Sequence, residues 1–519
     1  MSHNRNTARD GWRNRLEFHV TTHFGPLWRV IQRIGPVRRR VNRILINRAI
    51  SRIAPRPHPL SAMESYTSWE SLTDRTYAGR HLPPAADPHP ALPPEDEIAD
   101  LFARGEEQRT CEKSSVLFAH FAQWFTDGFL RTDPDDYRKT TSNHEVDLCQ
   151  VYGLRPDLTR RLRAREGGLL LSQMINGEEY PPYLCHDGEV KAEFAGLEPV
   201  RFKKVPDDRR AGLFAMGGDR ANSQPGFTML NVLFLREHNR IARLLSRAHP
   251  DWDDERLFAT ARNILTVILI KIVVEEYINH ITPYHFRFSL DPTGLGTGPW
   301  YRTNWMTAEF NLLYRWHSLV PSTLRIHDED RPIESVLFDT RLVTERGLGP
   351  LFEEASRQPA GRIGLFNTDK VLRGTEVQSI TYSRQLQLTT FNDYREYCGF
   401  PRVTAFDQIT GDPDVQAALK QRYGSVDRIE FYTGLFAEEV RPNSALPPLI
   451  GRLVGVDAFS QVLTNPLLAP RVHGEKTFSR TGMQLIAETN SLSDLLHRNL
   501  PNGSRHYLVT MTQPDWRRS

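Results

Sequence analysis

Hydrophobic residues recur at spacings of three and four along much of this 519-residue chain. The pattern is clearest over 99–105, 114–130, 226–246, 254–280 and 305–317. Such spacing follows the period of an α-helix, whereas a half-buried strand alternates every second residue. Strand patterns are scarce, and no clear linker divides residues 100–490. The sequence therefore predicts a mainly α-helical protein built around one large domain.

The overall composition is that of a globular protein, with 39% hydrophobic and 25% charged residues. A net charge of +3 gives no indication of nucleic-acid binding. The 4 cysteines form no CxxC pair and no metal-ligand spacing, which favours a reducing compartment over a disulfide scaffold. The most apolar run, 264–274, is interrupted by Lys271 and falls short of the ~18 residues of a spanning helix. We expect it to be a buried core helix.

The N-terminal region has a different composition from the rest. Residues 11–56 contain eleven arginines and a single acid, Glu17, with aromatic and aliphatic residues between them. Pro26 and Pro36 divide the region into short amphipathic helices, which suit the surface of an anionic membrane leaflet. A disordered basic tail or a nucleic-acid arm is the alternative, but such tails lack this density of apolar residues.

These shifts in composition predict three regions. Residues 1–56 form a membrane-binding segment, residues 57–98 a Pro-rich connection, and residues 99–519 one large domain. Within the connection, residues 81–96 are the most Pro-rich part and predict an extended surface segment.

The segment EFNLLYRWHSLVP (309–321) carries the clearest chemical signal. If it is helical, Tyr314 and His317 share one face. A neutral imidazole is a common haem-iron ligand. A phenol one turn away could give an electron to that haem and become a radical that removes hydrogen atoms. A core helix with a buried tyrosine and a satisfied histidine is the other interpretation.

Further motifs follow in order along the chain. They include SYTSWESLTDRTY (65–77), LFAHFAQWFTDGFLRT (117–132), FLREHNRIARLL (234–245), YGSVDRIEFYTGL (423–435) and TNPLLAP (464–470). With the segment around Tyr314, they resemble the prostaglandin endoperoxide synthases (cyclooxygenases) of the animal haem peroxidase superfamily, from about Tyr66 to Asn490. The resemblance implies the animal haem peroxidase fold and haem b as cofactor. The cysteine-rich module that begins the animal cyclooxygenases has no counterpart here.

The resemblance also implies roles for residues around the haem. His317 matches the proximal iron ligand, and Trp316 would pack against the haem. Tyr314 matches the radical tyrosine, and Tyr277 matches a tyrosine that hydrogen-bonds to it.

On the distal side the family has a glutamine and, four residues later, a histidine. Gln123 matches the glutamine, but Asp127 stands at the histidine. A carboxylate, with an ordinary pKa of about 4, is a weaker base than imidazole, so we expect poor peroxidase activity. Arg220, in GGDRANSQPG, matches an arginine of the broader animal peroxidases and could pair with Asp127. An ordinary salt bridge near the haem, or His120 acting as a substitute base, are the alternatives.

The resemblance places a fatty acid in a channel. Tyr284 matches a tyrosine that binds the carboxylate, and its arginine partner would be Arg48 or Arg52. An arginine suits a carboxylate because its planar fork binds it bidentately; alternatively, both arginines belong to the basic membrane face. Arg441 matches a side-pocket position. Channel-lining positions are matched by Ile278, Ile281, Thr282 and Leu313.

Together these features predict a haem-dependent fatty-acid oxygenase that abstracts hydrogen from a polyunsaturated fatty acid through Tyr314 and adds dioxygen. A hydroperoxide-forming dioxygenase without ring closure, or a non-catalytic haem- or lipid-binding membrane protein, are the alternatives. Because residues 1–15 lack the apolar segment of a signal peptide, we expect a peripheral, monotopic membrane protein on the cytoplasmic face that is not secreted. A homodimer stays open.

Overall fold

The computed structural model describes residues 16–51, 53, 60–85, 92–298, 300–303 and 305–518, and helices dominate them. The α-helices are α1 (16–23), α2 (Gly25–Arg33), α3 (Gly35–Ile50), α4 (Trp69–Thr73), α5 (Glu95–Ala99), α6 (Val116–Asp127), α7 (Cys149–Tyr152), α8 (Pro156–Leu162), α9 (Asp207–Arg210), α10 (Pro225–Ala248), α11 (Asp254–Ile272), α12 (Ile278–Ile281), α13 (Ala308–Leu313), α14 (Arg341–Thr344), α15 (Leu348–Arg357), α16 (Arg373–Gln385), α17 (Phe391–Tyr397), α18 (Pro413–Tyr423), α19 (Phe431–Ala437), α20 (Pro448–Leu463), α21 (Glu475–Glu488) and α22 (Leu492–Arg498).

The strands of the described residues form two-stranded antiparallel pairs. They are β1 (Leu60–Ser61), β2 (Gly79–Arg80), β3 (Thr110–Ser115), β4 (Gln173–Ile175), β5 (Glu178–Tyr180), β6 (Cys185–His186), β7 (Glu189–Val190), β8 (Thr323–Ile326), β9 (Glu329–Pro332) and β10 (Pro359–Gly361). Strand β3 pairs with β10, and each other strand pairs with its neighbour in sequence. The mainly α-helical fold class is therefore confirmed.

Most of the helical periods correspond to observed helices, but two predictions are wrong in part. The stretch 99–105 is not helical, because α5 ends at Ala99. The carbonyl groups of Leu101 and Phe102 instead accept the amides of Phe366 and Asn367, at 2.8 and 3.0 Å. This pairing with a distant segment replaces the local helical bonds. The stretch 305–317 is helical only over α13, and the reason lies in the active site.

The long helices α10 and α11 form the centre of the core. A five-residue π-helical stretch, Val273–Tyr277, continues α11 into α12. The helix Asp254–Ile281 is long and apolar enough to cross a membrane, but 83% of its most apolar window is buried inside the protein. Lys271 is accommodated because its ammonium donates to the carbonyls of Ile486 and Ala487, at 3.0 and 2.8 Å. The predicted core helix at 264–274 is thus buried.

Helices α1 to α3 lie on the body of the protein through one side. The Trp28 ring packs on Phe286, with ring centroids 5.8 Å apart. The Asn42 side-chain amide donates to the carbonyl of Ser289 at 2.8 Å, and Arg43 pairs with Asp291 at 3.0 Å. The opposite side exposes apolar side chains: Leu16, Phe24, Leu27, Val30, Ile34, Val37 and Ile44. The exposed side of these helices thus carries apolar side chains among arginines.

Candidate active site

Tyr314 and His317 lie at a bend where α13 ends, not on one helix. The Thr307 hydroxyl caps α13 by accepting the Phe310 amide at 3.0 Å. Helical backbone stops at Leu313, and His317 opens a separate 3₁₀ turn, His317–Leu319. The prediction that both side chains share a helix face is therefore wrong.

The bend is stabilised by the tryptophan within it. The Trp316 ring stacks on the Tyr314 ring, with centroids 4.5 Å apart and planes at 25°. Its indole N–H donates to the Leu313 carbonyl at 2.6 Å, which satisfies an acceptor left free by the helix end. Trp316 therefore orients the phenol from the side of the histidine.

Two neighbouring elements hold the turn that carries His317. A Cβ atom on Gly361 of β10 would collide with the Ser318 carbonyl, so only glycine permits this approach. Helix α16 contacts the bend twice: the Arg315 guanidinium donates to the Ser379 hydroxyl at 2.8 Å, and His317 Nδ1 lies 3.0 Å from Glu376 Oε1. Sequence reasoning missed Glu376, since a lone glutamate on a helix carries no local signal.

The Tyr314 and Tyr277 phenols are buried next to each other. Burial raises the pKa of Tyr314, an effect that the nearby Tyr277 hydroxyl opposes. Burial and Tyr314 together raise the pKa of Tyr277 well above its ordinary value. No hydrogen bond of regular geometry reaches either hydroxyl from the described residues. Both groups thus stay protonated, and oxidation of either must remove a proton with the electron.

A π-helical stretch positions Tyr277 at its last residue. Such stretches widen the helix locally and are frequent at functional sites. The Tyr277 ring is enclosed by Phe118 and Phe121 of α6, with centroids 5.5 and 5.6 Å away. This apolar wall keeps water from the two phenols.

The distal residues lie on α6 and in the loop before α10. Arg220 donates to one oxygen of the Asp127 carboxylate, and the Arg131 guanidinium lies 3.3 Å from the other. Arg131 also pairs with Asp219 at 2.8 Å. The structure thus forms the Asp127–Arg220 pair, and both carboxylate oxygens of Asp127 already face cationic donors. The Asp127 carboxylate is therefore poorly placed to accept a proton from peroxide.

Gln123 and His120 lie on the same helix as Asp127. Gln123 is exposed and accepts a hydrogen bond from the Gln224 side chain at 3.1 Å. The His120 ring fills the space above Gly226, where a Cβ would collide with it. Burial lowers the pKa of His120 to about 4, so this imidazole is neutral at physiological pH.

The residues around His317 fit a haem. No protein group in the described residues hydrogen-bonds to His317 Nε2, and its side chain is 17% exposed, so this nitrogen can bind iron. Among the described residues no group of three or more His, Cys, Asp and Glu could hold a metal ion by itself. A haem needs only one such ligand, because the porphyrin supplies the other four.

A cavity of about 1110 Å³ is bounded by α1, α3, α12 and α20. Its volume reaches that of small-molecule sites, about 300–1,000 Å³. The predicted residues Ile278, Ile281, Thr282 and Tyr284 line it, with Phe18, Leu45, Ala49, Arg441 and Phe459 among the others. Leu313 and Tyr314 are not among its described lining residues; Leu313 is fully buried. Ile278, directly after Tyr277, brings the cavity wall next to the phenol pair.

Of the two arginines predicted to bind a carboxylate, the structure describes Arg48, which is not among the lining residues of the cavity. Arg48 is exposed on α3, although Leu45 and Ala49 line the cavity, and Arg52 lies outside the described residues. The Arg441 guanidinium does line the cavity, 4.8 Å from the Phe18 ring centroid. Burial lowers its pKa. In the sequence, the match of Arg441 to a side-pocket position was the one indication that this residue lies at the cavity.

Residues 137–509 match the family described as animal haem peroxidase. The chain belongs to this family. It is 33% identical to prostaglandin G/H synthase 2 of Equus caballus over 497 residues, 93% of this chain and 80% of the relative. Prostaglandin G/H synthase 1 of Mus musculus is 34% identical over 86% of this chain and 75% of its own. Both relatives extend the resemblance seen in the motifs to nearly the whole chain.

Solved structures of the same fold have lower identity. The fatty acid alpha-dioxygenase of Oryza sativa superposes with a TM-score of 0.67 and 17% identity, covering 92% of each chain. The alpha-dioxygenase of Arabidopsis thaliana gives a TM-score of 0.69 at 15% identity, over 92% of this chain and 89% of its own. At such identity these similarities establish the animal haem peroxidase fold alone.

Replacing Asp127 tests whether this animal haem peroxidase lacks an effective distal base. General acid–base catalysis contributes a factor of roughly 10² to 10⁴, so Asp127→His should raise the rate of hydroperoxide-dependent guaiacol oxidation by at least about tenfold. Asp127→Ala should leave the low wild-type rate nearly unchanged, as should Asp219→Asn, which alters the same arginine network. A wild-type rate equal to that of Asp127→His, with a slow Asp127→Ala, would show that Asp127 is a competent base.

Proposed function

We propose that this protein is a haem-dependent fatty-acid oxygenase, with haem b held by His317 and Tyr314 as the group that attacks the substrate. The observation that carries the proposal is the pair of buried phenols, one at the bend before the His317 turn and the other directly before Ile278, which lines a cavity large enough for an acyl chain. When bound, and once oxidised by a hydroperoxide, the haem supplies the oxidising equivalent. The protein positions the phenol and excludes water.

The chemistry of Tyr314 follows from its surroundings. Tyr314 loses one electron and its hydroxyl proton, and Tyr277 is the nearest group that can hold the phenoxyl oxygen in place. The phenoxyl then takes a hydrogen atom from a methylene between two double bonds, where the C–H bond is weakest. The Tyr314 O–H bond re-forms, and dioxygen adds to the carbon radical. The final peroxyl radical takes the hydrogen atom back from the Tyr314 hydroxyl, which gives a hydroperoxide and restores the phenoxyl.

Both product classes share this first step. The relatives' names mention prostaglandin synthesis and fatty-acid dioxygenation, which supports a fatty acid and dioxygen as substrates. Whether the peroxyl group closes a ring depends on how the acyl chain bends in the cavity. A hydroperoxide-forming dioxygenase is therefore the second candidate. The two phenols disfavour a non-catalytic haem- or lipid-binding protein, because such a protein has no need to bury two adjacent hydroxyl groups in an apolar enclosure.

Removing one hydroxyl tests the assignment of Tyr314. Haem-loaded Tyr314→Phe should bind haem as the wild type does but consume no oxygen with a polyunsaturated fatty acid. Phenylalanine keeps the ring and has no abstractable hydrogen. Tyr183→Phe, a tyrosine that stacks on Phe214 instead, should keep full activity. Oxygen uptake by Tyr314→Phe at the wild-type rate would assign the radical to another residue.

We further propose that Arg441, with Tyr284, binds the fatty-acid carboxylate. The guanidinium lies between the rings of Phe18 and Phe400, whose centroids are 4.8 and 5.5 Å from Cζ. The nearby Glu438 carboxylate already pairs with Arg395 and accepts the Leu449 amide. Within the part of the chain that the structure describes, no carboxylate hydrogen-bonds to this half-buried guanidinium, which therefore suits a carboxylate ligand.

The substrate dependence of KM distinguishes Arg441 from Arg48. A hydrogen bond to a charged group contributes about 1.5–3 kcal/mol, so Arg441→Gln should raise the KM for a free fatty acid by about 10- to 100-fold and change kcat little. With the methyl ester, which carries no charge, the variant and the wild type should match. Arg48→Gln is the control and should behave as the wild type. A raised KM in Arg48→Gln alone would restore Arg48 as the carboxylate partner.

We also propose peripheral, monotopic membrane association through α1 to α3. The support is the exposed apolar side of these helices together with the arginines between its members. An apolar side chain dissolves in the acyl region while neighbouring guanidinium groups meet anionic headgroups. A location at the cytoplasmic face belongs to the same proposal.

Cosedimentation with anionic vesicles tests this surface. The Leu27→Ser/Val30→Ser variant should bind at least about tenfold more weakly, since each buried CH₂ contributes about 0.8 kcal/mol. The control is Met174→Ser, which removes a 67% exposed apolar side chain from β4. Equal binding by all three proteins would place the membrane contact elsewhere or exclude it.

A further inference from the structure

Glu376 lies next to the Nδ1 atom of His317, the proposed iron ligand. Its Oε1 atom is 3.0 Å from His317 Nδ1, and its side chain is 2% exposed. No other acceptor in the described residues contacts this nitrogen. The two atoms are within hydrogen-bond distance, but the angle is not that of a regular hydrogen bond. The ring nitrogen opposite the iron therefore faces a buried carboxylate.

Other groups fix this carboxylate in place. The Thr368 hydroxyl donates to Oε1 at 2.8 Å, and the Tyr432 hydroxyl donates to Oε2 at 2.7 Å. Burial and the Glu376 charge hold the pKa of Tyr432 well above its ordinary value, so Tyr432 keeps its proton and remains a donor. Two hydroxyl donors leave the Glu376 carboxylate in the role of acceptor.

The backbone also favours negative charge at this position. Glu376 lies in the first turn of α16, a helix of 13 residues. The positive end of the helix dipole stabilises an anion there. Three residues later on the same helix, Ser379 accepts the Arg315 guanidinium, which holds the bend before His317 against α16. The carboxylate and the imidazole are thus held together by two contacts between the same segments.

We propose that Glu376 is a positioning residue for the iron ligand: it accepts the His317 Nδ1–H, fixes the tautomer that leaves Nε2 free, and makes the imidazole a more strongly donating ligand. A carboxylate behind a ligating histidine has this general effect on a metal. Stronger donation favours ferric over ferrous haem and lowers the midpoint potential. The inference rests on the proposed haem ligation by His317.

Spectroscopy and potentiometry of the haem-loaded protein test this role without relying on turnover. Second-shell groups typically contribute about 10- to 100-fold in metal binding. We expect Glu376→Gln to lose a roughly 10- to 100-fold preference for ferric over ferrous haem. At 59 mV per tenfold for one electron, its midpoint potential should then rise by about 59 to 118 mV. The iron–histidine stretching frequency of ferrous haem in resonance Raman spectra should fall. Glu376→Asp, which keeps the charge, should recover part of both shifts.

Glu430 provides a matched control. It is likewise a buried carboxylate that accepts a tyrosine hydroxyl, from Tyr423 at 2.9 Å, but its partner is Arg384 and not a histidine. Glu430→Gln should leave both the potential and the frequency unchanged. Wild-type values in Glu376→Gln, or equal shifts in both glutamine variants, would overturn the proposal.

The His317→Ala variant distinguishes failure of this proposal from failure of the haem ligation by His317 on which it rests. The measurement is the iron–histidine band in the resonance Raman spectrum. If His317→Ala keeps the band and the haem, His317 is not the ligand and the proposed function fails at that point. If His317→Ala loses the band while Glu376→Gln changes nothing, only the role of Glu376 is refuted.

Discussion

The approach of the β10 backbone to the Ser318 carbonyl is the constraint on which the site depends. It requires glycine at position 361, because any side chain there would collide with that carbonyl. The approach fixes the 3₁₀ turn from one side, and α16 holds the bend before it from the other. Two separate parts of the chain therefore determine where His317 points. A helix continuing past Leu313 would be incompatible with both contacts.

Charge is distributed unevenly across the proposed haem site. On the distal side the Asp127 carboxylate is paired with Arg220 and Arg131, so both of its oxygens already face cations. On the opposite side the Glu376 carboxylate accepts only hydroxyl groups and faces the His317 imidazole. The protein thus places a buried carboxylate behind the proposed iron ligand. The phenols lie outside both groups, in an apolar enclosure that makes loss of a proton alone unfavourable.

Helix periodicity predicted the long helices, because the local sequence determines their apolar faces. The helices α10 and α11 are long enough for their apolar faces to give a clear period in the sequence. The motifs around His317 indicated the candidate site in a chain that belongs to the animal haem peroxidases. The end of α13 was missed because it depends on Trp316 stacking and on β10, which are tertiary contacts. Arg441 and Glu376 were missed as ligand partners for a similar reason. Their partners come from α1 and from the His317 turn, which are remote in sequence.

Freeze-quench electron paramagnetic resonance tests the central claim most directly, because it detects the radical itself. Haem-loaded protein mixed with an organic hydroperoxide should give a tyrosyl signal that narrows when the protein carries ring-deuterated tyrosine. The same signal should be absent from Tyr314→Phe, and fatty acid added anaerobically should replace it with a carbon-centred radical in the wild type. An identical tyrosyl signal in Tyr314→Phe, or a wild-type signal that fatty acid does not discharge, would contradict the account.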